Sequence, residues 1–129
     1  MDFTYDITMF KETFETEFTW LNGFMRNVSR FSDRIALVEP LKEQSWTYRE
    51  LNAECNKFAN AMLNSGVNKS DVVFYQLYNS PYFVFCHVAS QKAGCISNPA
   101  NFNLSPGETA EIISHNKPKI YVYDSAIVE

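Results

Sequence analysis

The side chains with most chemistry in this 129-residue chain are two histidines, three cysteines and a close pair of glutamates. Neither His87 nor His115 has a second ligand at the spacing a metal site uses. His87 sits in an apolar run, which reads as a satisfied core histidine. His115 falls in the last turn of an expected helix, where positive charge suits the dipole. Cys86 adjoins His87, but successive helical residues point to different sides, so the two do not form a nucleophile–base dyad. Glu108 and Glu111 share one helix face near its start. A solvated first turn explains them better than general acid–base work. Cys55, Cys86 and Cys95 are odd in number, include no Cys-x-x-Cys pair and stand among apolar neighbours. They read as buried free thiols of a protein in a reducing cytoplasm. A phosphate cradle needs clustered glycines or hydroxyls beside a lysine. Gly23, Gly66, Gly94 and Gly107 are far apart, and two of them have helix-stopping roles.

Composition narrows the class further. Charged residues make up 20% and hydrophobic residues 46%, which excludes a disordered tail. The net charge is −4 with no Lys/Arg run, so no footprint for nucleic acid or an anionic membrane is present. The longest apolar stretch, near residues 82–89, is far too short for a transmembrane segment. The first residues lack the basic and apolar regions of a secretory signal, so the three Asn-x-Ser sequences carry no meaning as glycosylation sites. Eleven Phe and seven Tyr, many between residues 74 and 85, imply a core dense in rings; an aromatic pocket for an apolar acyl group is the alternative.

The elements that must position these groups follow from periodicity. Residues 1–17 read as an irregular leader. From Phe18, the positions Trp20, Leu21, Phe24, Met25, Val28 and Phe31 share one helical stripe that ends at Ser32-Asp33. Residues 35–39 and 43–48 form a hairpin around Pro40. Thr47 and Glu50 make a capping box for a helix that buries Leu51, Cys55, Phe58 and Met62 and closes at Gly66. Residues 71–78 show little polar alternation, as in a strand covered on both faces. Ser80 caps, and Pro81 opens, a deeply buried helix that Gly94 stops. A short strand at 95–98 is broken by Asn98-Pro99; a second capping box, Ser105 with Glu108, starts another helix, and residues 119–123 make a last strand. The fold class is therefore α/β: a parallel sheet with flanking helices in the order strand, helix, strand, helix, strand, preceded by a helix and a β-hairpin.

Several segments together resemble the early motifs of the acyl-adenylating (AMP-binding) enzymes, of acyl-CoA synthetase type. Residues 31–37 resemble the phrase before the family's first hairpin, with Ser32 where proline is usual. Trp46-Thr47-Tyr48-Arg49-Glu50-Leu51 resembles the first core motif. Tyr78-Asn79-Ser80-Pro81 resembles a helix start of the family, and Lys92-Ala93-Gly94 through Asn98-Pro99 the second core motif. Leu104-Ser105-Pro106-Gly107-Glu108 resembles the helix start that follows. Gly107 departs from the family's usual polar helix former, and no Arg follows Asn98-Pro99; Asn101, Phe102 and Asn103 stand there.

The resemblance implies that residues 18–129 are the N-terminal portion of an AMP-binding domain. The parent enzyme would join a carboxylic acid to ATP with Mg²⁺ and pass the acyl group to CoA. The rest of the parent polypeptide would then be the chain's partner. The family's phosphate loop, ending in Pro-Lys, and its C-terminal catalytic lysine have no counterpart here, so the chain alone is expected to hold no cofactor and to be inactive. On this reading Thr47, Tyr48, Glu50, Leu51, Asn79, Pro81, Lys92, Ala93, Gly94, Asn98 and Pro99 are scaffold, and no catalytic, cofactor or metal residue is assigned. Two alternatives remain: a stand-alone α/β module that binds a partner or self-associates through an exposed edge at residues 119–123, and a flavodoxin-like nucleotide binder.

Overall fold

One strand cannot face water on either side: in residues 73–77 the side chains of Val73, Phe74 and Tyr75 are 0% exposed, Gln76 2% and Leu77 7%. The computed structural model describes residues 7–127 and builds two layers of cover around that strand, β3 (Val72–Gln76). The sheet has three strands in the order β4-β3-β5, with β4 (Ile96–Ala100) and β5 (Ile120–Tyr123) both parallel to β3. Val73, Tyr75 and Leu77 pack with Ala59 and Met62 of α3 (Tyr48–Asn64) and with Cys86 and Ala89 of α4 (Pro81–Lys92). On the opposite face the Phe74 ring lies 5.0 Å from that of Tyr121, and Gln76 reaches Thr109 of α5 (Pro106–Asn116).

A second core joins the helices to the hairpin β1 (Ile35–Glu39) and β2 (Gln44–Thr47), which are antiparallel around a 3₁₀ turn at Pro40–Lys42. Leu51, Cys55, Phe85 and Val88 form its buried centre, against Phe24 of α2 (Trp20–Arg30) and Trp46. The Phe85 ring meets those of Trp46, Phe58 and Tyr82 at 5.6, 5.7 and 5.8 Å. Both expected capping boxes are present. Thr47 Oγ1 accepts from the Glu50 N–H, and the Glu50 carboxylate accepts from the Thr47 N–H at 2.8 Å. Ser105 and Glu108 repeat the arrangement. Gly66 (φ 86°) and Gly94 (φ 72°) take the left-handed conformation after α3 and α4.

Four expectations need correction. The described part of the supposed irregular leader is helical: α1 (Ile7–Lys11) runs into a π-helical turn at Glu12–Glu17, with no buried residue. Residues 1–6 of that leader lie outside the described residues. Pro99 does not end a strand; β4 continues through it to Ala100, with Pro99 opposite Tyr75. An edge strand tolerates proline because a missing N–H facing the open side costs no ladder bond. Ser80 occupies the cap position of α4, but its side chain makes no capping bond; its carbonyl accepts from the Phe83 N–H instead. Phe58 is only partly buried, and Ala59 takes its expected place in the core.

Truncating Phe85 to alanine should cost about 3–5 kcal/mol, since the ring sits between three others and cannot be replaced by collapse of one neighbour. Gly66→Ala meets no atom within 4 Å, so its loss of about 1–2 kcal/mol should reflect backbone strain alone. Urea unfolding of the two variants measures both, and a Gly66→Ala chain as stable as the parent would contradict the left-handed assignment.

Candidate functional site

Parallel α/β sheets place their ligand sites beyond the carboxyl ends of the strands. Here that rim comprises the turn after β3 and the loop after β4. Leu77, Asn79, Phe83, Pro99, Ala100, Asn101 and Phe102 line a concavity there of about 350 Å³. Asn79 also borders a neighbouring cleft of about 430 Å³ whose other wall is the hairpin, from Leu37 to Leu41. Two of the sequence motifs, Asn79–Pro81 and Asn98-Pro99, therefore meet at the rim.

The other motif residues lie elsewhere. Thr47 and Glu50 close the start of α3, where two hydrogen bonds from Thr47 hold the Glu50 carboxyl below its ordinary range. The backbone N–H groups of Tyr48 and Arg49 donate to the carbonyls of Arg34 and Ser32, and the Arg49 guanidinium pairs with Asp33 and Ser32. This stitches the hairpin to the helix. Tyr48 and Leu51 line a third concavity of about 570 Å³ beneath α2. Lys92 lies over the Phe24 ring at 5.9 Å with its ammonium 3.4 Å from Met25 Sδ, and partial burial lowers its pKa. Ala93 packs on the core. Gly94 lies two residues before β4, so it stands at the amino ends of the strands, away from the rim; Gly66, which leads into β3, stands there too.

That placement decides the fit to a nucleotide. Both left-handed glycines are at the wrong end of the sheet. At the rim, α4 begins with Pro81, which has no N–H to offer, and Asn79 and Ser80 bring no lysine with them. The residues present do not fit a phosphate cradle. Among the described residues no group of three or more His, Cys, Asp and Glu could hold a metal ion.

Two polar networks went unseen in the sequence. Tyr75 Oη lies 3.0 Å from His87 Nδ1 and 2.9 Å from Ser97 Oγ, which is itself 3.1 Å from His87 Nδ1. Burial raises the Tyr75 pKa, keeping its hydroxyl a donor. The edge of the Trp20–His87 ring pair closes this cluster at 5.3 Å. These contacts join the imidazole to hydroxyls rather than to a carboxylate, so Ser97 and His87 form a tether between α4 and β4 rather than a nucleophilic pair. Gln76 Nε2 donates to the Asn101 carbonyl at 3.0 Å and contacts Thr109 Oγ1 at 3.4 Å, while its Oε1 accepts from the Tyr121 hydroxyl at 2.7 Å. The only sequence signal was one polar residue inside the run Val72-Val73-Phe74-Tyr75-Gln76-Leu77.

The geometry defines an α/β scaffold in which a parallel sheet, two capping boxes and a stitched hairpin converge on a rim without phosphate donors. The sequence profile of the AMP-binding enzymes matches residues 24–129, and the chain belongs to that family. It is 31% identical to 4-coumarate–CoA ligase 2 from Nicotiana tabacum over 96 residues, covering 74% of this chain and 18% of that ligase. It is 34% identical to a crotonobetaine/carnitine–CoA ligase from Citrobacter koseri over 95 residues, covering 71% and 18%. Among solved structures, the N-terminal subdomain of Klebsiella oxytoca NpsA with anthranilyl-AMSN aligns at a TM-score of 0.76 and 28% identity, covering 81% of this chain and 27% of that one. A fatty acyl CoA synthetase from Mycobacterium tuberculosis aligns at 0.78 and 25%, covering 84% and 22%. The chain thus spans about a fifth of the length of the ligases it matches, and corresponds to an N-terminal part of them. No described helix is long and apolar enough to cross a membrane.

The three cysteines are free and buried. Burial pushes the Cys55 thiol up to about 12 and Cys86 to about 11, from an ordinary 9.0. Both should react slowly with Ellman's reagent until the chain unfolds. A raised folded-state value means that the unfolded thiols ionise first, so the stability from these groups is complete below pH 9 and is lost as pH rises toward 11–12. Urea titrations between pH 7 and about 11 should show a shallower alkaline loss in the Cys55→Ala/Cys86→Ala variant than in the parent.

Proposed function

We propose that the chain is the N-terminal scaffold of an ATP-dependent carboxylate–CoA ligase, working in the cytoplasm. In the whole enzyme a carboxylic acid would be joined to ATP with Mg²⁺, pyrophosphate released, and the acyl group passed to CoA. No step of that reaction is assigned to a residue of this chain. Its motif residues Thr47, Tyr48, Glu50, Leu51, Asn79, Pro81, Lys92, Ala93, Gly94, Asn98 and Pro99 act as structure: they cap helices, turn the backbone and fill the space between hairpin and sheet.

The observation that carries the reading is the family match over residues 24–129, set on a rim whose donors do not fit phosphate. The nucleotide side of the site would then come from the rest of the polypeptide. The division at residue 18 belongs to the same proposal, with the preceding residues lying outside the catalytic domain. The names of the relatives, which span aromatic acids, carnitine-type acids and fatty acids, suggest a substrate panel rather than one substrate.

The 129-residue chain should show no ATP–pyrophosphate exchange dependent on 4-coumarate, crotonobetaine or medium- and long-chain fatty acids, and ATP with Mg²⁺ should not raise its Tm. Exchange above background would overturn the inactivity. A nucleotide-dependent rise in Tm without exchange would favour the nucleotide-binder reading. The stand-alone interaction module has one observation in its favour, the open edge at β5.

A further inference from the structure

Helix α2 lies over the second core without sealing it. None of its residues is buried, and Trp20 stays 54% exposed although its ring stacks on that of Phe24 at 5.8 Å. The gap beneath the helix is the concavity of about 570 Å³, whose floor is the outer surface of that core at Leu51, Val84 and Val88. Trp20, Gly23, Phe24 and Asn27 line its other wall, at the spacing of one helical face. Gly23 is the informative member. Glycine in a helix interior is unfavourable. Its φ is not positive, and a Cβ there would meet no atom within 4 Å, so neither the backbone path nor a close contact requires it. The missing side chain leaves open space on the wall of a largely apolar concavity. That concavity shares no lining residue with the one at the sheet rim.

Size and charge select the occupant. Small-molecule sites span roughly 300–1,000 Å³ and combine an apolar lining with a few polar groups, as this concavity does. Arg26, Asn27 and Tyr48 supply the polar groups, and no carboxylate lines the space. Arg26 is exposed, with its guanidinium over the Phe18 ring at 5.3 Å. Among the described residues the ion pairs are Arg49–Asp33 and Lys57–Glu54, so no described carboxylate neutralises Arg26. A lone cation at the mouth of an apolar concavity complements an anionic head on an apolar body. A cationic amphiphile would meet like charge there, and a neutral one would leave the guanidinium without a counter-charge.

We propose that the concavity beneath α2 binds a small amphipathic anion, its apolar body on Leu51, Val84 and Val88 and its head at Arg26. Calorimetric titration of the full 129-residue chain with 1-decanesulfonate, below its micelle concentration and without ATP, Mg²⁺ or CoA, should show saturable binding of one molecule per chain. Trp20 emission should shift to the blue as its exposed ring leaves water. The sulfonate has no carboxyl to activate, so the outcome is separate from the ligase reading. Decyltrimethylammonium should bind about tenfold more weakly. Arg26→Gln should weaken the sulfonate about tenfold and leave decanol unchanged, since only the head meets the guanidinium. Gly23→Leu should fill the open space and weaken sulfonate and decanol alike by about 100-fold. Its Tm should not fall, because leucine favours the helix. If that variant folds poorly, the Arg26→Gln comparison at an exposed residue still decides. Absence of saturable binding, equal affinity for the cationic amphiphile, an Arg26→Gln chain that binds the sulfonate as the parent does, or undiminished binding by folded Gly23→Leu would overturn the proposal. A dimer of the parent that Gly23→Leu dissolves would also overturn it, and would give the concavity to a second copy.

Discussion

The rest of this structure depends on covering both faces of β3. A strand whose side chains from Val73 to Gln76 are at most 2% exposed, followed by Leu77 at 7%, must be central in a sheet and must have packing above and below. That single requirement draws β4 and β5 to its two sides and α3 and α4 onto one face. It also explains why the other face is stitched by polar contacts: α5 reaches the sheet through Thr109 and Gln76, leaving a concavity of about 290 Å³ under Leu104, Ala110, Ile113 and Tyr121. The α3–α4 face is a packed core; the α5 face is a looser one held in place by an amide.

Local rules made much of this legible. A capping box is a four-residue device whose parts are all in the sequence, so Thr47 with Glu50 and Ser105 with Glu108 could be read directly. The nearly unbroken apolar run at 72–77 identified the central strand, and the strand–helix alternation identified the parallel sheet. What could not be read depended on partners distant in sequence. Whether Pro99 breaks a strand depends on which of its sides has a neighbour, a property of the sheet order. Whether Ser80 caps with its side chain depends on the path of the turn. Residues 7–17 lack the burial that would give an obvious amphipathic core stripe, and their helicity rests on ring stacking and on the distant Asn22 amide.

The two buried polar networks share a logic. A polar side chain in a dry interior is tolerated only when its hydrogen bonds are made, and once made they fix which elements sit together. Tyr75, His87 and Ser97 fasten β3, α4 and β4 at their middle; Gln76 fastens β3 to the loop after β4, to α5 and to β5 at the rim. Apolar packing alone would allow α5 to slide along its loose face. The Gln76 amide, donating to the Asn101 carbonyl and to Thr109 Oγ1 and accepting from the Tyr121 hydroxyl, removes that freedom.

This bears on why the rim is chemically quiet. Several polar groups near it are already engaged within the chain. The Asn101 carbonyl accepts from Gln76, its side-chain oxygen accepts from the Asn103 N–H at 2.9 Å, and the Asp124 N–H donates to the Gln76 carbonyl at 3.1 Å. Groups committed in this way hold the loop after β4 in place and are not free to bond a phosphate. Stiffness is what a scaffold contributes to catalysis: reacting groups carried on other elements must be held within a fraction of an ångström, and a base that does not yield under them is as necessary as the groups themselves. Thr47 with Glu50 and Ser105 with Glu108 cap helices, and Arg49 ties the hairpin to α3, so signatures of this kind fix geometry locally.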